Sequence, residues 1–378
     1  MNANQHFDTI LQQQLDKRKT AGLLRSLVDC SNHIDFCSND YLGFSKLLPL
    51  PENSLPSGAT GSRLVTGNNA LAEATEKIIA AFHHAEAALI FNSGYTANVG
   101  LLSCIASKND TFIVDEFSHA SIIDGTRLSH AKRFKFKHND TTDLEKKLKQ
   151  AAGQKFVVVE SVYSMDGDEA PLFAIADLCK KYSALLIVDE AHATGVFGNN
   201  GEGLVCKYQL QDDVYACIYT FGKALGLHGA AITGSNTLRN HLINNARSFI
   251  YATALPPHTY LQVQQAYTLL PAASRATLQQ LITYFREAIK NYNGIKFTES
   301  HSPIQGIIIG DNFKATQLTK KLLQKDIYAK AILSPTVAAG TERLRICLHS
   351  FNTTAQIDLL LHEIKTFEHE YHHCGNTY

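Results

Sequence analysis

The 378-residue chain has no net charge, with Lys+Arg and Asp+Glu at 35 each. Nucleic-acid binders usually carry a basic surplus or stripe, so that class is disfavoured. The densest basic run, Lys132-Arg133-Phe134-Lys135-Phe136-Lys137-His138, alternates charge with Phe. That is the pattern of a strand with one solvated face. No uninterrupted apolar run reaches the ~18 residues of a membrane helix. The N-terminus is polar (Asn2, Asn4, Gln5, Gln12) and has no signal-peptide apolar core, so a cytoplasmic protein is expected. The eight cysteines form no C-x-x-C pair and are expected to be reduced thiols. There is no internal repeat and no low-complexity tract.

Three motifs lack the partners they would need. Asp189-Glu190-Ala191-His192 spells the DEAH box of helicases, but no G-x-x-x-x-G-K-[ST] loop accompanies it. A DEAH-type ATPase is therefore a distant alternative. Gly58-Ala59-Thr60-Gly61-Ser62 follows no clear strand and lacks the dinucleotide-binding spacing. His369-Glu370-Tyr371-His372-His373 matches H-E-x-x-H, yet nothing ordered is expected beyond it to complete a zinc site. No metal is expected.

What the chain does have is alternation. Short β-rich runs at 88–91, 111–114, 156–159, 185–188, 216–219 and 230–233 are separated by helical patterns. Strands apolar on both faces, interleaved with helices, predict an α/β fold with a mostly parallel sheet. Asn68-Asn69 can cap a helix carrying Leu71, Ile78, Ile79 and Phe82. The length favours two domains. Residues 1–45 read as an N-terminal helix, from Phe7 to about Leu27, and an extended segment. Residues 46–255 read as the large α/β domain. The Pro pair at 256–257 marks a break, and 256–378 reads as a smaller α+β domain. That part has one long helix from about 258 to 292, strands near 304–309 and 343–348, and a last amphipathic helix.

In open α/β sheets, ligands bind at the carboxyl ends of the strands. Five predicted strand ends carry chemistry. They are Asn92-Ser93-Gly94-Tyr95, Asp115-Glu116-Phe117-Ser118-His119, Glu160-Ser161-Val162-Tyr163-Ser164, Asp189-Glu190-Ala191-His192 and Thr220-Phe221-Gly222-Lys223. Lys223 stands out among them. An amine forms a Schiff base only when neutral, so a lysine for covalent catalysis needs desolvation or cationic neighbours. Gly94 and Tyr95 open a helix, where free N–H groups suit a phosphate. Thr220 can add a hydroxyl to the same phosphate.

Together the motifs resemble the α-oxoamine synthases, fold-type-I enzymes dependent on pyridoxal 5'-phosphate. The resemblance runs from Ser38-Asn39-Asp40-Tyr41-Leu42-Gly43 to Arg343-Leu344-Arg345-Ile346. It implies that Lys223 anchors the cofactor and serves as the catalytic base. It implies that Asp189 pairs with the pyridine nitrogen, that His119 stacks on the ring, and that His192 and Ser164 bind the phenolic oxygen. Gly94, Tyr95 and Thr220 would bind the cofactor, and Thr253 the phosphate of a neighbouring subunit in a homodimer with shared sites. Arg345 would clamp the amino-acid carboxylate. Arg25, His119 and Thr336 would contact substrate.

Within the family, Thr220-Phe221-Gly222-Lys223-Ala224-Leu225-Gly226 and Ile250-Tyr251-Ala252-Thr253-Ala254-Leu255-Pro256-Pro257 resemble the biotin-pathway branch. That branch joins L-alanine to a pimeloyl thioester, of CoA or acyl-carrier protein, with loss of carbon dioxide. The alternatives within the family use glycine or serine: 2-amino-3-ketobutyrate ligase, 5-aminolevulinate synthase and serine palmitoyltransferase. Leu333 stands where the biotin branch often has Arg, and Ala338 where it commonly has Pro. Both departures fall on the acyl-substrate side.

Overall fold

The computed structural model describes residues 2–49, 55–270, 272–292 and 294–374, with the side chains of 272–274 and 372–374 outside the described set. The chain opens with the helix Ala3–Thr20, capped by the Asn2 side chain on the Gln5 N–H. This helix stops earlier than the sequence predicts, and Gly22 follows at a φ of 70°. That left-handed backbone is one that glycine adopts without cost. After it comes β1 (Ile34–Asp35).

The central sheet comprises β2 (Ala87–Phe91), β3 (Thr111–Asp115), β4 (Lys132–Phe136), β5 (Lys155–Glu160), β6 (Ala184–Asp189), β7 (Ala216–Thr220) and β8 (Ala230–Gly234). Their spatial order is β2-β8-β7-β6-β5-β3-β4. β8 runs antiparallel to β2 and β7, and the other neighbours are parallel. Strand residues alternate between two apolar clusters. Phe112, Val114, Phe156, Val158 and Ile187 join one, while Ile113, Val157, Val159, Leu186 and Val188 join the other. Period-2 geometry sends successive side chains to opposite faces, and both faces are covered. β4 is one of the two edge strands, β2 being the other. Lys135 and, just past the strand, Lys137 are exposed on one face while Phe136 between them is buried on the other, the alternation that the sequence predicts, and Lys132 at the strand's start is exposed as well.

The C-terminal part adds β9 (Lys296–Phe297), β10 (Ile304–Ile308), β11 (Ile327–Tyr328), β12 (Lys330–Ile332) and β13 (Arg343–Cys347). Four of these form an antiparallel sheet, β12-β13-β10-β9, and β11 pairs in parallel with β1. The single long helix predicted from about 258 to 292 is two helices, Pro257–Leu269 and Ala272–Ile289. Pro271 explains the division, because proline lacks an N–H and disfavours helix in the residue before it. Helix Pro257–Leu269 packs on helix Ala70–Phe82 of the larger part. The expected boundary at 255/256 is therefore not marked by a break in packing. One apolar cluster, with Phe36, Ile79, Phe221, Tyr260, Ile307, Leu344 and Ile357, runs through both parts.

Among the described residues the cysteines are free thiols, and no helix is long and apolar enough to cross a membrane.

Candidate active site

The ends of β2, β3, β5, β6 and β7 share one edge of the sheet, since these strands run in one direction. Lys223 lies in the turn after β7. Its turn is fixed by Phe221 N–H on Gly229 O (2.9 Å), Leu227 N–H on Phe221 O (2.8 Å) and Gly226 N–H on Lys223 O (2.8 Å). Phe221, Ala224 and Leu225 are buried and anchor the turn in the core. The Lys223 stem keeps some exposure, but its amine is enclosed. Burial lowers the amine's pKa from 10.5 to about 8, against the opposing charges of Asp189 and Glu160.

The Lys223 amine lies 2.7 Å from His192 Nε2. His192 Nδ1 lies 2.8 Å from the Tyr41 hydroxyl. Tyr41 donates to Asn39 Oδ1 (3.1 Å), which also accepts from Arg345 Nη2 (3.0 Å). Burial holds the His192 imidazole far below its ordinary pKa, so it is neutral. Arg345 also donates through Nε to the Ser164 carbonyl (2.6 Å) and through Nη1 to Cys347 Sγ (2.9 Å). These contacts use three of its five N–H groups and leave two for a carboxylate.

Asp189 ends β6 and is buried. Its Oδ2 accepts from Asn98 Nδ2 (2.7 Å) and its Oδ1 from Ala191 N–H (3.0 Å). Asn98 also donates to Ser121 Oγ (3.0 Å), which lies 2.7 Å from His119 Nδ1. His119 caps helix Ala120–Leu128, and its Nδ1 accepts the Ser121 N–H (3.2 Å). A ring nitrogen that accepts a backbone N–H carries no proton, which places the proton of the neutral ring on Nε2. Burial lowers the His119 pKa and so favours that neutral ring. The His119 N–H donates to Glu160 Oε1 (2.6 Å). Burial raises Glu160 to about 8, and the Asp189 charge adds to the effect.

At the end of β2, Ser93 caps helix Gly94–Cys104 by accepting the Thr96 N–H. The N–H groups of Gly94 and Tyr95 take no partner among the described residues. A side chain at Gly94 would meet Thr220 Oγ1 at 3.5 Å, so the missing Cβ opens the space beside that hydroxyl. Two uncommitted N–H groups and a hydroxyl form one polar corner. The Thr253 carbonyl accepts from Asn92 Nδ2 (2.8 Å), which ties the exposed Thr253 segment to this corner. The Tyr95 hydroxyl points elsewhere, onto Asp124 Oδ2 (2.5 Å).

Other residues singled out by sequence fall differently. Ser164 enters through its carbonyl, on Arg345. Arg25 is exposed on the irregular stretch after the first helix, and Thr336 is exposed in the turn after Ser334-Pro335. Neither has a hydrogen bond to the Lys223 cluster among the described residues. Glu190 is buried, and its carboxylate accepts the Leu204 and Val205 N–H groups (2.9 and 2.7 Å), which gives this residue of the DEAH sequence a capping role. Gly61 O accepts the Ala254 N–H (2.9 Å), so the Gly-rich loop packs against the Thr253 segment. Glu370 pairs with Lys321, and the His372 and His373 side chains lie outside the described residues.

Asn39, Tyr41, Asn98 and Glu160 join the site without having been picked out individually. Asn98 had a usable signal, because it stands one helical turn after Gly94 and thus on the same face.

An enclosed amine of lowered basicity, a buried carboxylate and a polar corner with two uncommitted N–H groups beside a hydroxyl define the class of enzyme that works through a carbonyl cofactor. The model of the aminotransferase class I and II family matches residues 31–364. The 8-amino-7-oxononanoate synthase 2 of Bacillus subtilis (strain 168) is 39% identical over 97% of this chain and 99% of its own length. A serine palmitoyltransferase variant from S. paucimobilis, solved with a bound adduct of pyridoxal phosphate and myriocin, superposes with a TM-score of 0.87 at 26% identity over 98% and 99% of the two chains. The 8-amino-7-oxononanoate synthase of Francisella tularensis superposes with a TM-score of 0.77 at 31% identity over 91% and 99%. The chain belongs to the aminotransferase class I and II family and, within it, to the α-oxoamine synthases of fold type I.

Proposed function

We propose that this protein is an 8-amino-7-oxononanoate synthase, joining L-alanine to pimeloyl-CoA or pimeloyl-acyl-carrier protein with release of the thiol carrier and carbon dioxide. The enclosed Lys223 amine, bonded to His192 beside the buried Asp189, carries the reading, and the full-length likeness to the Bacillus subtilis enzyme supports it. We place the enzyme in the cytoplasm, as a homodimer with shared sites.

The residues fit pyridoxal phosphate. The N–H groups of Gly94 and Tyr95 and the Thr220 hydroxyl would hold its phosphate, with Thr253 from a neighbouring subunit. Asp189, fixed by Asn98 and the Ala191 N–H, would face the pyridine nitrogen. His119 would lie against the ring, and His192 and Ser164 would reach the phenolic oxygen. Bound pyridoxal phosphate supplies an electron sink for negative charge at the substrate Cα.

Lys223 would anchor the cofactor through Nζ, and the same amine, free when the amino acid is bound, would take the Cα proton. An amine near pKa 8 both accepts and returns a proton at neutral pH. His192, neutral and held by Tyr41, keeps Nζ in place. The two remaining N–H groups of Arg345 grip the amino-acid carboxylate. His119, with its proton on Nε2, donates a hydrogen bond to the thioester carbonyl. Arg25 and Thr336 contact the acyl substrate if their exposed segments fold over the site.

A screen of L-alanine, glycine and L-serine against pimeloyl and palmitoyl thioesters, with product mass measured, tests this reading. The expected product is 8-amino-7-oxononanoate from alanine and a pimeloyl thioester. Preference for glycine would overturn the assignment. Preference for serine with a long acyl chain would favour the palmitoyltransferase reading, to which the serine palmitoyltransferase superposition gives weight.

A further inference from the structure

His138 lies just beyond the edge strand β4, outside the Lys223 cluster. Its Nδ1 is 2.9 Å from Asp115 Oδ1 and its Nε2 is 2.7 Å from Asp168 Oδ2. A neutral imidazole has one N–H and would leave one carboxylate facing a lone pair. Only the imidazolium donates to both. Burial opposes the charge, but the hydrogen bonds and charges of Asp115 and Asp168 raise the His138 pKa to about 10. The Phe117 ring stacks on the imidazole at 4.4 Å, and the Tyr163 ring meets it edge-on at 4.5 Å.

Three strand-end loops meet at this ring. Asp115 ends β3 and begins the loop to His119. Asp168 lies in the loop after β5 that carries Ser164. Asn139 repeats the pattern, with its N–H on Asp115 Oδ2 (3.0 Å) and its Nδ2 on Asp168 Oδ2 (2.7 Å). The His138 N–H goes to Glu116 Oε1 (2.9 Å). On the far side, Asp166 pairs with Arg343, and Ser300 Oγ donates to the Gly167 carbonyl (2.9 Å). The charged groups facing the ring are thus Asp115 and Glu116 from one loop and Asp168 from the other, with Arg343 held by Asp166.

We propose that His138 is a positioning residue, an ionic clasp that fixes the loop bearing His119 against the loop whose Ser164 carbonyl holds Arg345. His119 and Arg345 approach substrate from different elements, and the clasp joins the supports of both. Loss of the clasp lets the two loops drift apart, so amino-acid binding and turnover both suffer while the sheet remains. The catalytic consequence rests on the proposed function. The charge state of the clasp does not.

Two measurements test it. In apo protein labelled with nitrogen-15 in histidine, the His138 ring signals, identified by their loss in His138→Gln, should show both nitrogens protonated at pH 8. An ordinary imidazole is about 97% neutral there, and a neutral His138 at pH 8 overturns the clasp. In holoenzyme, His138→Gln should raise the L-alanine dissociation constant about tenfold in a spectral titration and lower turnover. Leu148→Ala, a core change in the last turn of helix Thr141–Gln150, at the end away from the His138 loop, serves as a control for lost stability and should keep the native alanine affinity. Native alanine affinity in His138→Gln, or an equal loss in Leu148→Ala, overturns the proposal. Should His138→Gln not fold, Asp168→Asn carries the same expectation and the same overturning result. If native protein itself gives no response to alanine, the proposed function fails, and the nitrogen-15 measurement still decides the clasp.

Discussion

At Lys223 two effects oppose each other. Burial drives the amine toward its neutral form, while Asp189 and Glu160 favour the cation. Burial wins, leaving a pKa of about 8. Only a neutral amine attacks a carbonyl. Labelling of apo protein by a simple aldehyde and borohydride should therefore rise with pH at Lys223 through about 8 and then level. Solvated lysines should keep gaining toward 10.5. Peptide mass mapping across pH checks this, and a Lys223 that labels no faster than surface lysines at pH 8 contradicts it. Asp189 makes its contribution by charge. Asp189→Asn keeps the shape and a partner for Asn98 but removes the carboxylate that is proposed to face the pyridine nitrogen. Losing one preorganised electrostatic contact costs about 10²–10³ in turnover, and kcat measured on cofactor-loaded Asp189→Asn should show a loss of that order.

At the scale of elements, the site depends on tight turns and on helix starts. Gly226 closes the Lys223 turn at a φ of 62°, and a side chain there would run into the Ser45 backbone. Gly226→Ala should cost about 1–3 kcal/mol of stability, read by denaturant unfolding, and should lower cofactor affinity because the Lys223 turn must shift. Glu190 links the end of β6 to the short helix Leu204–Lys207 through two backbone N–H groups. Burial raises its pKa from 4.5 to about 7, although those N–H groups pull the other way. Between these values the folded protein holds a proton that the unfolded chain has lost. Stability from this group therefore falls as pH rises from 4.5 to 7. Glu190→Gln should flatten that part of the stability curve in urea unfolding from pH 4.5 to 7.5, and an unchanged slope would show the carboxylate to be ionised throughout. Glu160 adds a slope of the same sign up to about pH 8 in both proteins.

At the scale of the molecule, the central sheet was legible because its strands are covered on both faces, and continuous apolar runs announce that. The strands β1, β9, β11 and β12 have two or three residues each, too few to carry a period. The strand-end residues were legible for the same reason as the sheet, since the order of strands fixes which loops share an edge. Asn39 and Tyr41 were not, because their partners at the site are far away in sequence: the Tyr41 hydroxyl meets His192 and Asn39 meets Arg345, beside a Cys347 N–H on the Phe36 carbonyl (2.9 Å) that spans 311 positions. Assembly belongs to this scale as well. The loop holding Leu64 (53% exposed) and Val65 (78% exposed) is tied by Gly61 to Ala254, and Tyr251 nearby is 72% exposed. Two joined segments beside Thr253 thus present three large apolar side chains to solvent. A second copy of the chain would cover them and bring its own Thr253 to the neighbouring site, so light scattering should give a particle of twice 41.7 kDa. Tyr251→Asp places a charge in that contact and should weaken the dimer and cofactor retention together. A native monomer that still retains cofactor and turns over alanine would show that each site is complete within one chain.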